Sequence, residues 1–132
     1  MSLGTRPFTA GLHDLGDGNW AWLQPDGGWG WSNAGLIVDG DEALLVDTLF
    51  DLPMTQTMLD AIADAVPDAS IGGLVNTHAN GDHCNGNELL DCEIIASSAT
   101  AEEMQHERPE VMASMLERAG DMGTLGEFFV EC

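Results

Sequence analysis

Lysine and tyrosine are absent from this chain, and its permanent cations are three arginines, Arg6, Arg108 and Arg118, against 23 acidic residues. The formal charge of −20 excludes a basic nucleic-acid surface, because such a chain repels polyphosphate backbones. Nuclease activity and a nucleic-acid partner are therefore not expected. The acidic residues are spread along the chain, which suits a solvated surface that serves solubility better than one dedicated cation site. Long hydrophobic runs are missing too: none approaches the ~20 residues needed to span a bilayer, so no membrane partner is expected. The first eighteen residues, about the length of a short leader, lack a basic stretch followed by an apolar one, and no secretory leader is read there. Cysteine is scarce. Cys84, Cys92 and Cys132 form no C-x-x-C pair and leave an odd thiol, which favours a reducing, cytoplasmic location over a disulfide framework.

What is present suits one folded domain over residues 1–132, with 44% apolar residues. Asn19 to Leu23 and Trp29 to Trp31 read as two strands flanking the turn chemistry of Pro25-Asp26-Gly27-Gly28. Trp20 and Trp22 share one face by period two, as do Trp29 and Trp31. Four tryptophans so placed wall a substrate pocket or fill a core, and the sequence leaves both uses open. Ala34 to Val38 and Ala43 to Val46 are apolar runs joined by Asp39-Gly40-Asp41, a second tight-turn signal.

The period then changes. Met54, Met58, Ile62 and Val66 recur every fourth residue, with Pro53 in the first turn and Pro67 as the stop, which predicts a helix over 53–66. Ile71 to Val75 is a short buried strand, residues 86–90 a helical turn, and Glu93 to Ala96 another strand. Thr100 and Glu103 form a capping-box pattern for a helix near 101–107. A second helix is expected over 109–119, closed by Gly120. Strands first in a meander, then alternating with helices, point to a layered α/β fold. The tail ends on Phe128-Phe129-Val130, an apolar run that calls for a partner surface or for more chain.

Directly after the strand at 71–75 comes Asn76-Thr77-His78-Ala79-Asn80-Gly81-Asp82-His83. Its core, His78-x-Asn80-x-Asp82-His83, gathers two imidazoles, a carboxylate and a carboxamide in one strand-exit loop. Imidazole nitrogen and carboxylate oxygen are the donors that zinc and related divalent metals take. His13 and His106 have no such neighbours and read as solvated. Cys84 adjoins His83, but without a second cysteine at ligand spacing it reads as a small, half-buried residue.

This loop resembles the H-x-H-x-D-H motif of the metallo-β-lactamase-fold hydrolase superfamily. Ser32-Asn33-Ala34-Gly35-Leu36-Ile37 resembles that family's early N-x-G strand, and Leu45-Val46-Asp47-Thr48 its L-V-D-T strand end. The helix between that strand and the metal strand, then Gly86-Asn87 and the strand at 93–96, continue the likeness over residues 17–105. It implies the N-terminal half of an αββα sandwich: a mixed or mostly antiparallel sheet with helices packed on one face. It also implies a divalent metal, zinc first, with iron or manganese as alternatives. His78 would serve one metal position, and Asp82 with His83 the other. Asp82 would also orient or deprotonate a water, and Asp47 would steady a ligand from behind.

Two departures qualify the resemblance. Asn80 stands where a histidine is usual, and a carboxamide oxygen is a weak, neutral ligand; it would hold water or substrate by hydrogen bonds instead. The family's later ligands (a His, a bridging Asp and a final His) have no counterpart, since the single histidine after His83 is His106. The expected function is cleavage of an ester, thioester, lactone or amide in a small molecule by metal-activated water, in a parent of which these residues are one half. The alternatives are a metal-binding protein without turnover and a noncatalytic half-domain. The latter would cover its open sheet edge by forming a homodimer or by taking a complementing chain.

Overall fold

The computed structural model describes residues 9–25 and 30–106. The chain divides into two compact units, Met1–Ser97 and Ser98–Cys132. The first holds a six-stranded sheet in chain order: β1 (Gly11–Gly16), β2 (Asn19–Leu23), β3 (Ala34–Asp39), β4 (Glu42–Val46), β5 (Ser70–Val75) and β6 (Glu93–Ile95). β1 to β4 form an antiparallel meander, whereas β4, β5 and β6 run parallel. Helix α1 (Leu52–Ala65) makes the crossover from β4 to β5. The sheet is therefore mixed, as the sequence implied.

β1 is not signalled in the sequence, because Gly11, His13, Asp14 and Gly16 dilute its apolar pattern. It takes the place of the expected hairpin partner, since β2 pairs with β1 and β3. Gly30 and Trp31 are not strand; Trp29 lies outside the described residues. Side chains tie the returning segment instead of a ladder. The Gln24 amide N–H donates to Asn33 Oδ1 at 2.9 Å, and the Ser32 N–H to Gln24 Oε1 at 3.3 Å.

Cross-strand partners share a face of the sheet. Trp22 faces Ala34, Trp20 faces Leu36, and Leu36 faces Leu45, which pairs with Leu74. This face packs on Met58 and Ile62 of α1, and with Leu49 these residues form the buried core. Trp20 and Trp22 of β2, both half-buried, pack against that core. The other face carries half-buried Leu44, Val46 and Val75, with Ile37 46% exposed. The edge strand β6 exposes Ile94 and Ile95.

α1 starts where its chemistry says it should. Asp51 is the N-cap, its carboxylate accepting from Met54 N–H at 2.7 Å, and Pro53 sits in the first turn. Thr55, Met58 and Ile62 bury one stripe, and Pro67 follows the C-cap Val66. In the second unit, α2 spans Ser98–His106. It begins earlier than the capping-box pattern implied, so Thr100 lies within the helix and is buried. The helix expected over 109–119 and the apolar tail lie outside the described residues.

Candidate metal centre

β4 and β5 are parallel neighbours, so the segments that leave their C-terminal ends emerge side by side, as ligand-bearing loops do in α/β sheets. Asp47 N–H still donates to Val75 O at 2.8 Å, continuing the ladder by one residue. Asp47 then turns with φ 63°, in the left-handed region that costs a non-glycine residue ~1–2 kcal/mol and that Asp tolerates best. The turn carries its side chain, 6% exposed, towards the loop after β5.

That carboxylate is heavily engaged. Oδ1 accepts from Thr77 N–H at 2.8 Å, while Oδ2 accepts from Thr77 Oγ1 at 2.7 Å and from His83 Nδ1 at 3.1 Å. Thr77 Oγ1 also lies 2.8 Å from His78 Nδ1. A hydroxyl has one proton, and a carboxylate only accepts. The Thr77 proton therefore goes to Asp47, and His78 Nδ1 must be the donor to Thr77 Oγ1. His83 Nδ1 likewise donates to Asp47. Neither Nε2 takes part in this network.

The two rings stand 4.2 Å apart between centroids, tilted by 50°. Ligand-type atoms of Asp47, His78 and His83 all lie within 4.8 Å of one another. Asp82 Oδ2 lies 3.5 Å from His83 Nε2. Two donors bound ~2.0–2.1 Å from a tetrahedral zinc stand about 3.4 Å apart, so this separation suits a shared cation and is long for a hydrogen bond. Because Asp47 spends both oxygens on protein donors, it fits the outer, orienting role better than that of a ligand. Imidazole and carboxylate donors gathered in this way fit a borderline divalent metal.

Several residues that lie in the quoted motifs without an assigned role build the frame. The His83 carbonyl accepts from Thr48 N–H at 3.0 Å and from Asn76 Nδ2 at 2.9 Å. Asn87 closes the cage: its Nδ2 donates to Asn76 Oδ1 at 2.7 Å, and its Oδ1 accepts from Thr48 Oγ1 at 2.9 Å. Ser32 Oγ donates to the Asp82 carbonyl. The Cys84 thiol reaches the carbonyls of Ala79 and Asn80, both at 3.3 Å, so it braces the loop. Polar residues at strand ends are common, and only their convergence on the backbone of one loop marks them out.

Other expected positions are dispersed. Asn80 is exposed at the head of the short 3-10 turn Gly81–His83. Trp31, 40% exposed, precedes Ser32, while Trp20 and Trp22 lie in the core layer. His13 turns away to the Thr9 carbonyl, at 2.8 Å.

A mixed sheet that delivers histidines and carboxylates from the ends of parallel strands defines an α/β protein with a metal-type site. The comparisons narrow that class. The sequence profile of the metallo-beta-lactamase superfamily matches residues 27–114, and the chain belongs to that superfamily. Among solved structures, the metallo beta lactamase of Hirschia baltica is similar at 26% identity and a TM-score of 0.59, covering 72% of this chain and 46% of its own. The metallo beta lactamase of Erythrobacter litoralis, solved with beta mercaptoethanol in its active site, is 28% identical at a TM-score of 0.59, covering 73% and 45%. The chain thus spans less than half the length of these relatives. No curated protein sequence matches it significantly. No helix among the described residues is long and apolar enough to cross a membrane.

Proposed function

We propose that this chain supplies the leading ligand set of a metal-dependent hydrolase. His78, Asp82 and His83 would hold a divalent cation, zinc before iron or manganese. The observation that carries the reading is the convergence of ligand-type atoms of His78 and His83, within 4.8 Å of one another and of Asp47, with Asp82 Oδ2 3.5 Å from His83 Nε2. When bound, the metal supplies an activated water and polarises the acceptor oxygen of an ester, thioester, lactone or amide. Asp82 would orient or deprotonate that water, and Asn80, exposed at the head of the 3-10 turn, would hold water or substrate by hydrogen bonds. The rest of the fold, in a parent about twice this length, completes the ligand set and selects the substrate.

Zinc titration of the metal-free chain, read by equilibrium dialysis, tests the ligand assignment. One equivalent bound by the native chain and none by His83→Ala is expected; unchanged stoichiometry in His83→Ala sinks the assignment. Turnover of a thioester and lactone panel then separates a hydrolase from a metal-binding protein without activity.

A second reading rests on exposed Ile94 and Ile95 of the edge strand β6. It is that β6 and the apolar face bearing Ile37 pair with a second copy or a complementing chain. Sedimentation under reducing conditions checks this, and a monomer across micromolar to millimolar concentrations counts against a homodimer.

A further inference from the structure

We propose that Thr77 is a positioning residue through which one buried carboxylate sets the tautomers of both loop histidines. This rests on the reading of His78 and His83 as metal ligands and adds what prepares them. Asp47 touches His83 directly, Oδ2 to Nδ1 at 3.1 Å. It reaches His78 only through the hydroxyl of Thr77, 2.7 Å from the same Oδ2 and 2.8 Å from His78 Nδ1. The hydroxyl proton can satisfy one neighbour. Placed on Asp47, it leaves the Thr77 oxygen as an acceptor and fixes the proton of neutral His78 on Nδ1.

The Thr77 backbone is held to the same carboxylate by its N–H to Asp47 Oδ1, at 2.8 Å. The hydroxyl is thus held at both ends. Without it, His78 becomes a solvated imidazole on an exposed loop, free to exchange tautomers and to rotate, whereas His83 keeps its own bond to Asp47. Thr77 thereby extends the control of Asp47 from one ring to two without a second carboxylate. An added charge there would have cost more in a chain already at −20.

The test reads protons before metal. Two-bond proton–nitrogen correlation spectra of the metal-free chain, taken where the imidazoles are neutral, report which ring nitrogen carries hydrogen. Both His78 and His83 are expected as Nδ1–H. Thr77→Val, which keeps the shape and removes the hydroxyl, is expected to shift His78 to mixed tautomers and leave His83 unchanged. Thr77→Ser restores His78. Zinc affinity follows, falling about 10- to 100-fold in Thr77→Val and recovering in Thr77→Ser, the range for loss of an orienting partner.

His78 carrying its proton on Nε2 in the native chain overturns the proposal. So does a Thr77→Val spectrum in which His78 is unmoved. Should Thr77→Val not fold, the native and Thr77→Ser spectra still decide, since the serine variant must keep the Nδ1–H signal. Correct tautomers in a chain that binds no zinc would overturn the ligand reading and support the relay, so the two failures are distinguishable.

Discussion

Asp47 and His83, at the ends of different segments, meet at 3.1 Å between Oδ2 and Nδ1. The contact locks the turn after β4 to the loop after β5. A buried carboxylate in this position has a structural share and a functional share, and substitution separates them. Asp47→Asn keeps one acceptor oxygen and tolerates the left-handed backbone, but its NH2 faces either the Thr77 N–H or the donors at Oδ2. A zinc affinity lower by about 10- to 100-fold is expected by chelator competition. The metal-free chain should lose about 1–3 kcal/mol of stability, the cost of a buried polar group left unpaired.

Gly86→Ala should destabilise the fold through packing rather than chemistry. A Cβ at Gly86 would stand 2.0 Å from Thr55 Oγ1 and 2.7 Å from Thr55 Cβ, against a fully buried residue of α1. Either the helix or the turn 85–89 must move, which costs about 1–3 kcal/mol by the usual range for overpacking. Urea unfolding should report a lower midpoint, and native stability would argue that the turn sits further from α1.

Much of this was legible in sequence where a local rule and the tertiary context agree. The helix over 53–66 was legible because Pro53, the four-residue apolar repeat and Pro67 all speak for the same element. The metal loop was legible because its donors are contiguous. Its support was not, because Thr48, Asn76, Asn87 and Ser32 meet only when β3, β4 and β5 are side by side. β1 was hidden by its glycines and polar residues, and Trp20 and Trp22 could be placed only by their partners across the sheet, Leu36 and Ala34. Thr77 has no signal of its own, since one hydroxyl acquires a role only from what lies on either side of it.

Asp51→Ala offers a control that should spare the site. The carboxylate caps α1 through Met54 N–H at 2.7 Å and is not part of the Asp47–Thr77–His78–His83 network. Loss of the cap should cost about 1 kcal/mol in thermal unfolding. Zinc affinity should remain within a factor of about two, since distant sites are close to additive. A large loss of affinity would show that α1 positions the site more tightly than the Asp47 network implies.

Cys92 gives a pH-dependent readout. Burial, and then the charge of Asp91, push its thiol above the ordinary cysteine range. The folded chain therefore holds the proton to higher pH than the unfolded chain, and thiolate formation favours unfolding as pH rises past that range. In a Cys84→Ser, Cys132→Ser background, alkylation of the folded chain at pH 8 should be slower than that of the urea-unfolded chain. Equal rates would place Cys92 in ordinary solvent.

Asn80→His tests the departure from the family pattern directly. Asn80 is exposed at the start of the 3-10 turn, so a larger ring meets no packed neighbour and the fold should be retained. An imidazole two residues from His78 adds a neutral nitrogen donor that binds zinc far better than a carboxamide oxygen. Zinc affinity should rise by about tenfold or more, and cobalt absorption should report an added nitrogen ligand. If affinity does not change, position 80 points away from the bound metal.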